Sequence, residues 1–331
     1  MIRTIKYTIL IILMIYSYSF CEERNYFISN NLKARTIAMG GAYISIKDHI
    51  FALDYNPASF SLRPNRNGNK ICFFLNPSAV PVITSNYKKF NSFDIPVGLL
   101  LYGFGVFYKK VNIGLLIGDE TITDISRFNN KKITELANYS VNRKYSLCVS
   151  LELAPRVSVG IAGDSYYHKI NNKNVMKFGY RYGIWIRTLK KICLGVCFID
   201  LPNKYSQDRL ELDRFDDETL NVGFSYSPWN FFQLALDIRN VTENKKRATG
   251  EPHIGVNLIP WKHLSVQGGF FKENKNSKVI SVGFGLLNEK FLLSEEKRLK
   301  YDEFILNAAV VWKKGSVATD RWFILSSVIR I

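Results

Sequence analysis

The groups that chemistry would need in this 331-residue chain are four histidines, five cysteines and a few charged residues set among apolar ones. His49, His168, His253 and His263 are scattered; none belongs to an HExxH pair or stands near a cysteine at zinc-ligand spacing. Cys193 and Cys197 are four apart, which on a strand is about 13 Å and beyond disulfide reach. With Cys72 and Cys148 they read as packed or inward-facing thiols, and no CxxC is present. No serine sits in a GxSxG elbow. Gly103-Phe104-Gly105 lies inside an extended apolar run and opens no helix, so it is no phosphate loop. The expectation is therefore no enzyme, no catalytic or metal-binding residues and no cofactor. There remain Glu152, Asp164, Arg181, Arg187, Asp237 and Arg239, which recur on the polar side of alternating segments. Such charges either line a path for polar solutes or pair with one another to stabilise a filled interior, and the second reading is preferred.

The elements that position these charges are strands. Tyr145, Leu147, Val149, Leu151 and Leu153 alternate with Lys144, Ser146, Cys148, Ser150 and Glu152. Leu220, Val222, Phe224 and Tyr226 alternate with Asn221, Gly223 and Ser225, and Phe232, Leu234, Leu236 and Ile238 with Gln233, Ala235, Asp237 and Arg239. Period two is the mark of a strand with one apolar face. The second face is mostly Gly, Ser, Asn, Ala and Gln, which suits a crowded barrel interior better than the charged outside of a sandwich. Mean hydropathy is -0.05, too polar for a bundle of membrane helices, while 14% of residues are aromatic. Both values fit a lipid-facing barrel, in which only alternate residues need be apolar.

Fourteen strands are expected: 70–76, 98–108, 111–118, 143–153, 157–168, 176–187, 192–201, 218–227, 231–240, 251–259, 264–272, 278–287, 302–312 and 320–331. Short turns at Ala154-Pro155-Arg156, Leu189-Lys190-Lys191, Ser227-Pro228-Trp229-Asn230 and Ile259-Pro260-Trp261-Lys262 alternate with longer polar links near 119–142, 169–175, 202–217 and 241–250. Bacterial outer-membrane barrels show this asymmetry, with the short turns periplasmic. Proline is expected to end the strands it touches, since it cannot donate to the ladder. Trp229 and Trp261 take equivalent places in two hairpins and are expected in an interfacial girdle. The link at 288–301 is long for the periplasmic side and rich in Glu and Lys, which suggests a short helix; 77–97 could hold part of a strand. The last strand alternates Phe323, Leu325, Ser327, Ile329 and Ile331, a near match to the C-terminal signal read by barrel-assembly machinery.

Residues 1–21 have the layout of a secretory signal: Arg3 and Lys6, an apolar run from Ile9 to Ile15, then small and polar residues to Cys21. Acylation of Cys21 would need a small residue where Phe20 stands, so cleavage near Glu22 is the expected processing. The expected parts are 1–21 as signal, 22–69 as an N-terminal segment and 70–331 as the barrel. Net charge is +17, but the basic residues are spread among loops with no nucleic-acid-binding motif, so nucleic acid is not expected as a partner.

The N-terminal segment carries Ala34-Arg35-Thr36-Ile37-Ala38-Met39-Gly40-Gly41-Ala42, then Asp48, then Asn56-Pro57-Ala58. This resembles the signature of the FadL-like outer-membrane superfamily, including its PorV/PorQ branch, approximately ARxxAMGGA, an acidic residue and NPA. Two departures stand out: His49 follows Asp48 where a second acid is usual, and Ser59 stands where Gly commonly follows NPA. The resemblance implies a fourteen-stranded barrel in the bacterial outer membrane with a hatch inside it. Ala38, Met39, Gly40, Gly41, Asp48, Asn56, Pro57 and Ala58 would then be hatch residues that fix the segment more than they touch a ligand. Gly40-Gly41 permits close backbone approach, and Asn56-Pro57 favours a chain reversal. Two functions follow from the resemblance. One is passage of hydrophobic small molecules such as long-chain fatty acids across the outer membrane. The other is a PorV-like role as an interaction or shuttle partner of secretion-system proteins. Inward residues such as Ser158, Asn221 and Asn257 are expected to bond the hatch.

Overall fold

The structure is a computed structural model. It describes residues 33–48, 50–61, 71–80, 82–84, 97–122, 139–170, 173–201, 213, 215, 218–241, 250–261, 264–273, 277–287, 303–314 and 319–330. The signal at 1–21 and the link at 288–301 lie outside the described residues.

Alternation produces strands wherever the sequence carries it. They are β1 (Ile71–Val80), β2 (Val82–Thr84), β3 (Val97–Tyr108), β4 (Val111–Ile122), β5 (Tyr139–Ala154), β6 (Val157–Ile170), β7 (Lys173–Leu189), β8 (Ile192–Asp200), β9 (Thr219–Trp229), β10 (Phe232–Val241), β11 (Glu251–Trp261), β12 (Leu264–Glu273), β13 (Ser277–Leu287), β14 (Glu303–Lys314) and β15 (Thr319–Arg330). From β3 to β15 each pairs with its neighbour in sequence, all antiparallel, and β1 bridges β3 and β15 to close the sheet. β2 continues β1 along β15, with Val82 opposite Trp322. The two segments make one stave, and the result is a closed fourteen-stave antiparallel barrel with no free edge.

The alternation sorts the side chains. On β5, Leu147, Leu151 and Leu153 are exposed while Ser146, Cys148 and Ser150 are buried; on β10, Leu236 and Ile238 are exposed while Gln233, Ala235, Asp237 and Arg239 are buried. The outside is thus an apolar band and the inside a polar, glycine-rich wall, the inverse of a soluble sandwich. Cys148 and Cys197 are buried on the inner face, and these two and Cys193 form no disulfide among the described residues.

Three expectations change. The first stave runs to Thr84, well past residue 76 and into the region that could hold part of a strand, because Asn76 and Ser78 keep the inward polar parity and β2 goes on pairing with β15. β6 and β7 extend until only 171–172 separate them, so the long link expected at 169–175 is a tight hairpin between two long strands. Pro228 and Pro260 do not end their strands. Each lies inside β9 or β11 where the ladder slips, between Tyr226 and Trp229 against β10 and between Leu258 and Trp261 against β12. A bulge takes up the missing donor.

Candidate functional site

Residues 33–48 and 50–61 lie inside the barrel, and those with described side chains are almost entirely buried. Helix α1 (Ala34–Ala38) is one turn long and packs on β12–β15. It ends at Gly40 and Gly41, whose φ values of 61° and 68° let the chain turn out of the helix. Their N–H groups donate to Ile37 at 2.8 Å and Thr36 at 2.9 Å, satisfying the last carbonyls. Helix α2 (Ile50–Leu53) leads to a 3-10 turn at Pro57–Ser59, which packs against β5–β8. Asn56 caps that turn by accepting from Ala58 N–H at 3.0 Å, and it donates to Ile44 O at 3.0 Å and Ile184 O at 3.2 Å. Asp48 accepts from the Tyr43 hydroxyl at 2.9 Å, and that hydroxyl accepts from Arg35 Nε at 3.0 Å. The sequence motif thus places Ala38 to Gly41 against one side of the wall and Asn56 to Ala58 against the other, with Asp48 bracing the segment from within.

The wall meets this segment at glycines. A Cβ on Gly269 would stand 2.0 Å from Gly40 N, on Gly255 2.3 Å from Met39 O, on Gly195 2.3 Å from Ile44 O and on Gly160 2.4 Å from Ala58 N. Only glycine admits the segment's backbone at these places. Glycines recurring at inward positions on consecutive strands are the sequence signal that could have mapped its path.

Polar side chains of the wall then satisfy its backbone, as a buried chain requires. Asp237 accepts the N–H groups of both Tyr43 and Ile44, at 2.7 and 2.9 Å. Trp185 Nε1 donates to Ser45 O at 2.7 Å, Ser281 to Ala38 O at 3.2 Å, Arg181 to Leu53 O at 2.6 Å, and His253 Nδ1 to Gly40 O at 2.6 Å. The expected partners are not these. Asn221 accepts from Asn240 N–H and Asn257 from Gln267, both within the wall, and Ser158 Oγ has no hydrogen-bond partner among the described residues. The row that meets the segment lies elsewhere on the same inner face.

Two charged clusters tie the segment to its surroundings. In the first, Asp54 binds Lys33 at 2.5 Å and Lys144 at 3.0 Å, while Arg181 pairs with Asp164 at 2.7 Å and lies 3.9 Å from Asp54. Burial alone would raise the Asp54 carboxyl, but Lys144, Lys33 and Arg181 together hold it well below the usual carboxylate range. In the second, Arg239 pairs with Asp213, a residue of the link between β8 and β9, and donates to Gly41 O at 3.2 Å. Tyr55 donates to the same Asp213 carboxylate. Phe215 of that link lies over the Arg239 guanidinium at 3.9 Å and edge-on to Tyr55 at 5.6 Å. A third tie, near the short turns, joins Lys47 to Glu152 at 2.5 Å, with Lys47 over the Trp185 ring.

The charges Glu152, Asp164, Arg181, Asp237 and Arg239 are therefore engaged, chiefly with the inner segment and the link; Arg187 instead lies over the Trp185 ring at 5.4 Å. Lys33, Lys47, Asp54, Trp185, Asp213 and Phe215 were not singled out from sequence. Trp229 and Trp261 stand exposed on the outer face at the short-turn end. Of the histidines only His253 has a described side chain, and among the described residues no three His, Cys, Asp or Glu side chains stand close enough to hold a metal ion.

No family model matches the sequence, and no curated protein matches it. Solved structures do match the fold. The CymD monoaromatic hydrocarbon channel aligns with a TM-score of 0.61 at 10% identity, covering 91% of this chain and 98% of that one. The Ralstonia pickettii toluene transporter TbuX gives 0.57 at 11% identity, with 91% and 98% covered. A Pseudomonas aeruginosa FadL homologue gives 0.53 at 9% identity, with 92% and 99% covered. At such identities the likeness is one of architecture, and with the apolar outer band and closed sheet it defines the chain as a bacterial outer-membrane β-barrel built like those of the FadL type.

Proposed function

We propose that the protein is a gated outer-membrane channel for hydrophobic small molecules, with residues 33–61 as its hatch. The observation that carries this is the apolar cluster at the long-link end of the lumen. Tyr43, Phe51 and Tyr55 of the inner segment pack with Ile199 and Leu201 at the end of β8 and with Phe215 of the adjoining link. These aromatic side chains are buried where the segment closes this end of the lumen, so passage of an apolar solute would need the hatch to move, not a chemical step. Among the barrels that share the fold, one is a monoaromatic hydrocarbon channel and another a toluene transporter, which supports this class of cargo. Long-chain fatty acids belong to it as well, although a carboxylate head would have to compete with Asp54 and Asp164 for Lys144 and Arg181. Binding of a panel of monoaromatic hydrocarbons and long-chain fatty acids to the refolded protein tests the reading. Saturable binding of at least one class, weakened by Phe215→Ala, is the expected result; no binding by any member contradicts it.

The close seal between hatch and wall favours a second reading, in which the barrel carries nothing and its outer surface and links bind secretion-system proteins, as in PorV-like relatives. That reading predicts no ligand binding and unchanged partner capture when the hatch is immobilised.

A further inference from the structure

We propose that the short-turn rim from β3 to β8 is a docking surface for anionic phospholipid headgroups. Three successive hairpins turn there through Lys109-Lys110, Pro155-Arg156 and Lys190-Lys191, all exposed. The turns contain five cations and no acid; the nearby Glu152 is taken by Lys47. The long-link rim of the same strands is mixed in sign, with Arg143 paired to Asp119. In this sector the short turns carry cations alone, whereas the other rim carries both signs.

The edge is also ordered. Lys110 O accepts from Glu152 N–H, Arg156 O from Arg187 N–H and Lys191 O from Ser227 N–H, each at 2.8 Å. The backbone of every basic turn is therefore clamped by the strand that leads into the next short turn, and the turns form a fixed arc along the rim.

Their neighbours identify what the arc faces. Tyr108, Leu153 and Leu189, the outward residues just before the turns, are 53%, 53% and 61% exposed and form the last row of the apolar band. Lys109 Nζ lies 5.4 Å from the Tyr108 ring centroid. Cations directly beyond an apolar row sit at headgroup depth, where their alkyl stems cover the band and their charges reach phosphate. An acidic protein would be met by cations further from the lipid boundary. One basic residue close to an anionic surface strengthens association roughly fivefold, so five in an arc suffice for clear headgroup selection.

The test uses the full chain refolded into vesicles of phosphatidylcholine containing one-fifth phosphatidylglycerol. After extraction in mild detergent, mass spectrometry gives the ratio of the two lipids retained by the protein. The wild type should be enriched severalfold in phosphatidylglycerol, and high salt should reduce the enrichment. K109Q/K110Q/R156Q/K190Q/K191Q should retain the vesicle ratio, whereas K278Q/K314Q on the opposite rim should behave as wild type. If the five-site variant loses the heat-modifiable gel shift of a folded barrel, K190Q/K191Q alone should lower the enrichment by about half or more. No enrichment in the wild type, full enrichment in the five-site variant, or equal loss in the opposite-rim variant would overturn the proposal. Capture of an acidic soluble protein that depends on the same five cations, without lipid enrichment, would assign the rim to a protein partner instead.

Discussion

Asp237 holds Tyr43 by its backbone: one carboxylate oxygen accepts the Tyr43 N–H at 2.7 Å and the following N–H of Ile44 at 2.9 Å. Two amides of the inner segment thus depend on one side chain of the wall. Asp237→Ala would leave both buried and unsatisfied, with a loss of roughly 2–4 kcal/mol in barrel stability. The hatch should also loosen, so liposome swelling by small solutes should rise. Urea refolding and the swelling assay check the two effects separately.

Glycine size on the inner face sets a second expectation. Gly269→Ala would drive a methyl to within 2.0 Å of Gly40 N, whereas at Gly163, on the outer face, a Cβ meets nothing within 4 Å. Gly269→Ala should destabilise by about 1–3 kcal/mol, as overpacking does, and increase protease access to residues 33–61. Gly163→Ala should be neutral or slightly stabilising. Equal effects would show that the hatch does not press on this wall.

The two faces of β10 differ in how they tolerate charge. Arg in place of Leu234 on the lipid side should cost roughly 2–4 kcal/mol near the midplane. From alternation alone a milder effect is expected at Ala235, provided the lumen has room. It has none: Ala235 is fully buried in one cluster with Met39 and Ile44. Ala235→Arg should therefore also be severe, and it should expel the hatch, which proteolysis distinguishes from the lipid-side defect.

The pH response follows from Asp54, whose carboxyl is held down by Lys144, Lys33 and Arg181 against the opposing effect of burial. A folded carboxyl of lowered pKa stays charged where the unfolded one protonates. Its stabilisation is therefore complete above about pH 4 and is lost as pH falls below that toward the folded value. Wild type and Asp54→Asn should differ by a constant amount from neutrality to about pH 5 and converge in stronger acid. Stability curves at stepped pH check this, and a gap that widens below pH 4 would contradict it.

Much of this was legible in the sequence, for physical reasons. Lipid on one side and a filled lumen on the other force strict alternation, so β5, β9 and β10 could be read directly. Gly40-Gly41 take a left-handed backbone that few other residues adopt, and Asn56-Pro57 cap and open a 3-10 turn, so the motif could be placed on turns. The contacts of the inner segment were not legible in the same way. Asp213 and Phe215 reach Arg239 from a link with no periodicity, and only the fold brings them there. Ser158, Asn221 and Asn257 have the same inward parity as Asp237 and Ser281, yet partner choice depends on which row of the wall the segment crosses. The proline positions misled because a bulge lets a strand run through Pro228 and Pro260. The extension of β6 and β7 was missed because polar residues near 169–175 look the same in a link as on strands that project beyond the membrane.

The central claim is that a hydrophobic solute passes through the lumen only when residues 33–61 move. Ser150 Oγ lies 3.4 Å from Ala58 O, which brings the two positions close enough for engineered cysteines to be screened for a disulfide between hatch and β5. The direct measurement is uptake of a labelled monoaromatic hydrocarbon or long-chain fatty acid by proteoliposomes carrying S150C/A58C, oxidised and then reduced. The account predicts little uptake above protein-free vesicles when oxidised, recovery toward the wild-type rate on reduction, and an unchanged heat-modifiable barrel in both states. Uptake at the wild-type rate with the hatch locked, or no facilitated uptake by the wild type itself, would contradict it.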